Sequence, residues 1–238
     1  MAGREDYGID APTVVRNLGL GGPGLIGISV GMRAFHILPA LAPTALGTGI
    51  GMSIGACWML VSSLWLKQRV RDGLLNMRRW RGDEAVLDVG CGRGLVAMAA
   101  ARRVPKGSVK GIDLWQEVDL SNNSAAAFLA NAEAAGVADR VSVDTGDARA
   151  LPYPDSSFDV IGSMTAIHNI PDAAGRAAAV AEMWRVLRPG GQILIFDIRH
   201  ARTYLKQLRA LGAVETKLVG PILLWGPIGW RFAVAKPA

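Results

Sequence analysis

The chain is poor in cysteine and, over one long stretch, has no charge. Its two cysteines stand in different surroundings, Cys57 in an apolar stretch and Cys91 in a glycine-rich loop. A disulfide framework is therefore not expected, and a reducing compartment fits this usage. From Ala34 to Leu66 the chain has no Asp, Glu, Lys or Arg. An uncharged stretch of this length is unusual for a pair of soluble helices.

This uncharged stretch predicts a membrane anchor. A helix needs about 20 apolar residues to cross the hydrocarbon core of a bilayer, and Thr44–Leu66 meets that length. The glycine-rich segment Leu18–Leu41 is a weaker candidate because it contains Pro23 and Arg33. Residues 18–66 are therefore predicted to form a hairpin of two transmembrane helices. The alternative is a pair of buried helices that pack over a soluble domain.

Glycine spacing supports the hairpin. Small residues that recur every four positions on one helix face let two helix backbones approach closely inside lipid. The glycines with this spacing are Gly27, Gly31, Gly47, Gly51 and Gly55. We expect them at the contact between the two helices.

Basic residues follow the hairpin in segment 67–82, which is predicted to be a juxtamembrane linker. They are Lys67, Arg69, Arg71, Arg78, Arg79 and Arg81. The excess of Lys and Arg places this end of the hairpin in the cytoplasm. The net charge is +6. Because the basic residues cluster just after the apolar hairpin, this charge favours a lipid bilayer over nucleic acid as the partner. The segment 1–17 returns to the same side, and one hypothesis is that Tyr7–Asp10 folds over the active site as a lid.

Residues 83–238 have the pattern of an α/β domain, with short apolar runs that alternate with helical segments. The expected strands are Ala85–Val89, Ser108–Ile112, Val141–Val143, Phe158–Ser163, Gln192–Asp197 and two runs near Ala213–Val219 and Trp230–Ala235. The first expected helix follows the glycine-rich turn and ends near Arg103. The others cover Ser121–Ala135, Asp172–Leu187 and about 201–212. This alternation predicts a doubly wound, mostly parallel seven-stranded sheet.

A glycine-rich turn follows the first expected strand. Gly90, Gly92 and Gly94 come directly after a strand that contains Asp88. Glycine is needed there because the backbone turns sharply and a ligand must come close. The dinucleotide fingerprint requires a further glycine where this chain has Leu95, and a carboxylate before the glycines suits a cationic ligand group better than a pyrophosphate. A nicotinamide-dependent oxidoreductase is therefore the less favoured alternative.

With four further motifs in order, about residues 80–200 resemble the class I S-adenosylmethionine-dependent methyltransferases, particularly those with a methyltransferase type 11 domain. The motifs are Val86–Gly94, Gly111–Asp113, Gly146–Ala148, Ser156–Ile161 and Leu187–Gly191. The resemblance implies a Rossmann-like methyltransferase fold and S-adenosylmethionine as the cofactor.

The resemblance also implies the cofactor site, with Asp113 on the ribose hydroxyls, Leu114 and Trp115 beside the adenine, and Asp147 near its amino group. The implied cofactor-binding residues are Asp88, Gly90, Cys91, Gly92, Gly94, Asp113, Leu114, Trp115, Gly146, Asp147, Ala148 and Ser163. Cys91 is expected to be a packing residue and not a nucleophile. No metal site is predicted.

The acceptor side departs from the family. Where the family often has paired histidines, this chain has His168 and Asn169. His168 and Thr165 are the candidate catalytic residues, and a purely structural role for His168 stays open. The predicted function is methyl transfer by in-line displacement to a small, lipid-soluble acceptor. The other alternative is a membrane-anchored protein that binds the cofactor without catalysis. The oligomeric state is left open.

Overall fold

The structure is a computed structural model that describes residues 5–116, 120–224, 226 and 228–238, without the side chains of residues 215 and 216. Two long helices come first, α1 (Pro12–Ala34) and α2 (Ala42–Val61), with a 3-10 turn at Pro39–Leu41 between them. A π-helical turn, Ser62–Leu66, continues α2 into α3 (Lys67–Leu75). Residues 39–75 are thus one continuous helix.

Strands and helices then alternate along the rest of the chain. The strands are β1 (Ala85–Val89), β2 (Ser108–Asp113), β3 (Val141–Thr145), β4 (Phe158–Met164), β5 (Leu187–Asp197), β6 (Val214–Leu223) and β7 (Ile228–Ala235). The helices are α4 (Leu95–Ala101), α5 (Ala125–Ala134), α6 (Ala173–Val186) and α7 (Ala201–Ala210), with a 3-10 turn at Ile167–Asn169.

The described strands form one seven-stranded sheet in the order β3-β2-β1-β4-β5-β7-β6. Strands β1 to β5 pair in parallel, and β7 is antiparallel to both of its neighbours. Helices cover the sheet, so the central run Ile193–Phe196 of β5 is fully buried. The prediction of a doubly wound, mostly parallel seven-stranded sheet is confirmed.

The segment expected to be a basic linker is largely helical and belongs to the domain. In α3, Val70, Leu74 and Leu75 are buried and join the same hydrophobic cluster as Met98 and Phe128. These apolar residues recur at helical spacing, which the surrounding arginines conceal in the sequence.

The prediction that a helix begins at Ser121 is wrong, because α5 begins at Ala125. The Ser124 hydroxyl caps it by accepting a hydrogen bond from the Ala127 N–H at 3.2 Å. The Ser121 hydroxyl instead accepts the Ile9 N–H at 2.9 Å. Residues 120–123 therefore remain a loop beside the N-terminal segment.

Helices α1 and α2 form a hairpin that packs mainly on itself. Large apolar side chains on both helices are exposed, including Leu20 by 70% and Ile54 by 64%. The alternative of two buried helices over the domain therefore does not describe them. Among the described residues, Pro39–Leu75 is the one helix long and apolar enough to cross a membrane by length and composition. Helix α1, which contains several glycines, Pro23 and two arginines, does not reach that level, so the expectation of two transmembrane helices is not supported.

The hairpin contact uses glycines other than those expected. A Cβ atom on Gly49 would lie 2.7 Å from the Gly22 carbonyl oxygen, whereas a Cβ on Gly47 would have no neighbour within 4 Å. The same open space surrounds Gly27, Gly31 and Gly51. The prediction was wrong for these four because four-residue spacing does not reveal which stripe of a glycine-rich helix faces its partner. Gly55 lies nearer the contact, 3.7 Å from Leu18 Cδ1.

Gly49→Ala should destabilise the hairpin, because the added methyl group collides with the α1 backbone. Overpacking costs about 1–3 kcal/mol, which corresponds to roughly 2–12 °C in the thermal midpoint at ~2–4 °C per kcal/mol. Thermal unfolding of the full chain in mild detergent measures this shift by circular dichroism. Gly47→Ala adds the same methyl group in open space, and its higher helix propensity should leave the midpoint unchanged or slightly raised. Equal midpoints for the two variants would contradict this contact.

Candidate cofactor site

A cavity of about 240 Å³ opens at the carboxyl edge of the sheet. The strand β1 lies between β2 and β4 in the sheet, so the loops that follow these strands diverge there and leave a crevice. The predicted cofactor-binding residues that line the cavity are Asp88, Gly90, Cys91, Gly92, Asp113, Leu114, Gly146, Asp147 and Ala148. Three others, Gly94, Trp115 and Ser163, lie outside its wall.

The glycine loop is fastened to the end of β2. The Gly90 and Cys91 N–H groups donate to the Ile112 carbonyl oxygen at 2.9 and 3.2 Å, and the Gly92 N–H donates to Asp113 Oδ2 at 2.8 Å. Gly90 and Gly92 have φ values of +69° and +51°, which L side chains rarely adopt. A Cβ on Gly90 would collide with Ala166 Cβ. Glycine therefore keeps the backbone of this loop open to a ligand.

Gly94 has a packing role. It is the N-cap of α4 with φ +85°, and a Cβ there would lie 2.5 Å from Met98 Cε and 3.0 Å from Phe128 Cδ2. Its lack of a side chain lets α4 approach α5 behind the cavity.

Both carboxylate oxygens of Asp113, at the end of β2, accept hydrogen bonds that fix the side chain. Oδ1 accepts the Trp115 N–H at 2.7 Å and the Asn123 amide at 3.2 Å, while Oδ2 accepts the Gly92 N–H. A carboxylate held in this way at a cavity wall can accept hydrogen bonds from ligand hydroxyls. The Trp115 indole N–H donates instead to the Thr145 hydroxyl at 2.7 Å, so this ring is engaged at the end of β3.

Asp88 is a buried carboxyl at the floor of the cavity, with 1% of its surface exposed. Its Oδ2 accepts the Ala97 N–H at 2.9 Å. Burial, assisted by the negative charge of Asp113, raises the pKa of Asp88 to about 7. A cationic ligand group at this carboxyl would favour its ionised form.

The far end of the cavity carries an ion pair that the sequence did not reveal. Arg149 Nη2 lies 2.6 Å from Asp147 Oδ2, and Arg149 Nε donates to both carboxylate oxygens. This guanidinium lowers the pKa of Asp147. Asp147 therefore stays ionised, with both of its oxygens already engaged.

The structure separates the two candidate catalytic residues. Thr165 lines the cavity together with Asn169, whereas His168 does not. His168 Nδ1 lies 2.6 Å from Asp197 Oδ1 at the end of β5, and its side chain is only 11% exposed. Ser163 is also buried, and its hydroxyl ties β4 to β1 by donating to the Val89 carbonyl oxygen at 2.9 Å. The pairing of Asp197 with His168 was not predicted from the sequence because no motif near Asp197 indicates it.

Residues Glu5–Asp10, here called the strap, cross the cavity beside the glycine loop. Tyr7 and Asp10 line the cavity, which is where the lid hypothesis places them. Asn131 holds the strap by donating to the Asp6 carbonyl oxygen at 2.7 Å, and Arg93 Nη2 lies 2.7 Å from Asp6 Oδ2.

Lys67 joins the strap to the first turn of α3 and also lines the cavity. Its ammonium donates to the carbonyl oxygens of Tyr7 and Gly8 at 2.9 and 2.8 Å and to Asp10 Oδ1 at 3.3 Å. Lys67 and Arg93 were missed as site residues because their partners are distant in the sequence.

These residues fit S-adenosylmethionine, which carries an ammonium group, ribose hydroxyls and an adenine ring. Asp88 offers a buried carboxyl for the cation, and Asp113 offers acceptors for the hydroxyls. Side chains at Gly90 or Gly92 would fill the cradle between them, since a Cβ on Gly92 would lie 2.9 Å from Leu120 Cδ2. Leu114 and Ala148 supply apolar wall at the same end as Asp147.

Comparisons with known proteins match the central part of the chain. Residues 86–191 match a family model described as "Methyltransferase domain". The chain is 37% identical over 132 residues to the 27-O-demethylrifamycin SV methyltransferase of Amycolatopsis mediterranei. The aligned region covers 54% of this chain and 44% of that protein. It is 32% identical over 130 residues to the ubiquinone/menaquinone biosynthesis C-methyltransferase UbiE of Dinoroseobacter shibae. Here the aligned region covers 53% of this chain and 47% of that protein. The chain thus spans about half the length of these relatives.

Among solved structures, the fold is similar to that of the [4+2]-cyclase SpnF, with a TM-score of 0.57, 22% identity and coverage of 72% of this chain and 82% of that chain. This likeness concerns the fold alone. The family match and the named relatives support methyl transfer as the chemistry of this part of the chain. Residues 86–191 therefore match a methyltransferase domain, and S-adenosylmethionine is the cofactor that this match implies.

Proposed function

We propose that the whole chain is a membrane-anchored enzyme that methylates a small, lipid-soluble acceptor. The observation that carries this proposal is the position of the cavity. Asp10, two residues before α1, and Lys67, the first residue of α3, both line it. The foot of an exposed apolar hairpin is thus part of the wall of the cofactor site.

The proposed chemistry needs positioning more than acid–base catalysis. When bound, S-adenosylmethionine supplies a methyl group that its sulfonium already activates. Asp88 and Asp113 hold the donor, Thr165 and Asn169 face the acceptor, and the strap excludes water. Holding two reactants in line can contribute about 7–11 kcal/mol.

A general base is required only where the acceptor arrives protonated, as an alcohol or phenol does. His168 is the candidate for that role, but in the structure its ring lies against Asp197. Since His168 does not line the cavity, this role requires a side-chain rotation away from Asp197. A thiolate or an amine needs no such step.

Two observations support a lipid-soluble acceptor. The hairpin that adjoins the cavity wall exposes large apolar side chains, and one relative is named for ubiquinone/menaquinone biosynthesis. A nicotinamide-dependent oxidoreductase is disfavoured by Leu95, which stands at the third glycine of the dinucleotide fingerprint. A cofactor-binding protein without methyl transfer is the remaining alternative, and labelled methyl uptake distinguishes it.

Asp113→Ala should weaken S-adenosylmethionine binding by about 10- to 150-fold, because it removes a charge-assisted hydrogen bond of ~1.5–3 kcal/mol. Isothermal titration calorimetry measures the affinity. Asp144→Ala is the matched control, since Asp144 also stands near the end of a neighbouring strand but contacts Lys110 and Tyr153 outside the cavity. Unchanged affinity in the Asp113 variant would remove this carboxylate from the site.

Cofactor affinity should rise as the pH increases from 6 to 8. The pKa of Asp88 is raised to about 7 from 3.8, so the empty site holds a protonated carboxyl below pH 7. Binding of an ammonium group then expels that proton, at up to about one proton per site at pH 6. Calorimetry in two buffers with different ionisation heats counts the released protons. Asp88→Asn cannot release one, and equal counts in both proteins would refute the assignment.

Membrane anchoring predicts that the full chain stays in the pellet after an alkaline carbonate wash of membranes, and release into the supernatant would contradict the anchor. The acceptor is sought separately, by labelled methyl uptake from S-adenosylmethionine into lipid-soluble phenols, thiols and amines. Asp113→Ala protein serves as the negative control in that screen.

A further inference from the structure

Four exposed apolar side chains surround the foot of the hairpin. Leu64 and Trp65 stand on the π-helical turn and are 52% and 67% exposed. Leu223 and Ile228 flank the β6–β7 connection and are 52% and 55% exposed. We call this set the foot rim. Large apolar side chains so exposed in two separate segments indicate a surface that contacts something apolar.

The two halves of the foot rim lie on the same side of the domain. Lys67 and Leu224 line the same cavity, and Gly73 of α3 approaches the Arg231 side chain of β7. The described ends of β6 and β7 therefore lie near the base of the hairpin.

The foot rim also borders the cavity. Leu224, between Leu223 and Ile228 in the chain, lines the cavity with Tyr7 and Lys67. Lys67 follows Leu64 and Trp65 within one helical turn. In both segments, the apolar rim is therefore adjacent in the chain to a residue of the cavity wall.

Cations accompany this apolar surface. Arg69 lies one helical turn after Trp65 and is exposed, and Arg16 is exposed near the start of α1. Exposed arginines beside an aromatic residue and aliphatic side chains match the headgroup region of a bilayer with anionic lipid, where each cation contributes attraction to the surface.

We propose that the foot rim rests in the headgroup region of an anionic bilayer, so that the cavity opens towards lipid and the acceptor passes from the membrane to the methyl donor. This proposal depends on the membrane anchor proposed above. It adds a second contact, made by the catalytic domain itself, which fixes the orientation of the domain on the bilayer. It also narrows the acceptor to an amphiphile whose reacting group lies at headgroup depth.

A depth probe at Gly226 tests the contact. Gly226 is exposed, lies between Leu223 and Ile228, and has open space where a side chain would be added. In a Cys57→Ser background, Gly226→Cys is labelled with an environment-sensitive nitrobenzoxadiazole maleimide. Cys91 is buried, and burial raises the pKa of its thiol, so it reacts slowly. The labelled full chain is reconstituted into phosphatidylcholine–phosphatidylglycerol vesicles with a shallow nitroxide lipid.

We expect blue-shifted emission and severalfold stronger quenching at position 226 than at a control label on Asp139→Cys. Asp139 is exposed and lies just before β3, at the opposite edge of the sheet. Adding Leu223→Asp and Ile228→Asp should bring quenching at position 226 down to the control level, while calorimetry shows unchanged S-adenosylmethionine affinity. Retained affinity shows that these variants are folded.

The outcomes separate the two proposals. Quenching no stronger at position 226 than at position 139, in protein that stays in the vesicle pellet after an alkaline wash, overturns the foot rim contact and leaves the anchor standing. Protein released by the wash overturns the anchor, and with it the contact. Quenching that persists in the Asp variants also contradicts the assignment to Leu223 and Ile228.

Discussion

The site depends on one backbone arrangement, in which the glycine loop after β1 closes on the end of β2. Two N–H groups meet the single carbonyl oxygen of Ile112, and a third meets the Asp113 carboxylate. This arrangement sets the distance between the ends of two neighbouring parallel strands. It also brings two carboxyl groups, Asp88 and Asp113, to one small cavity, where the charge of Asp113 raises the cost of ionising Asp88. The elevated pKa of Asp88 is a consequence of that geometry and of burial.

A second constraint joins this site to the hairpin. The side chain of Lys67 is 5% exposed, and its ammonium donates to three oxygens of the strap. A buried charge is stable only while it is paired, so displacement of the strap would leave Lys67 without its partners. The strap, the first turn of α3 and the glycine loop therefore hold one relative position. Opening of the cavity must involve the helix that continues into the hairpin.

The sheet, and the grouping of most expected cofactor-binding residues around one cavity, could be predicted because both follow from local patterns in the sequence. Short apolar runs define β1, β2 and β4, and glycines that adopt positive φ mark the loop between them. Residues that act through distant partners were not predictable in this way. Lys67 was taken as part of a linker, and the Asp197 partner of His168 had no motif. The hairpin glycines show the same limit, since periodicity identifies a stripe and not the neighbour it faces.

The division between the two sides of the cavity bears on where acceptor choice is encoded. Donor-side residues such as Asp88 and Asp113 fall within residues 86–191, the part shared with the methyltransferase domain family. The wall nearest the hairpin comes from Tyr7, Asp10, Lys67 and Leu224, all outside that range. Sheet geometry constrains the first group tightly, because the strands must pair, whereas a strap, a helix foot and a hairpin connection can vary without disturbing the sheet. Under the proposed function, recognition of the acceptor is therefore divided between Thr165 and Asn169, which follow β4, and the freer segments that tie this domain to its hairpin.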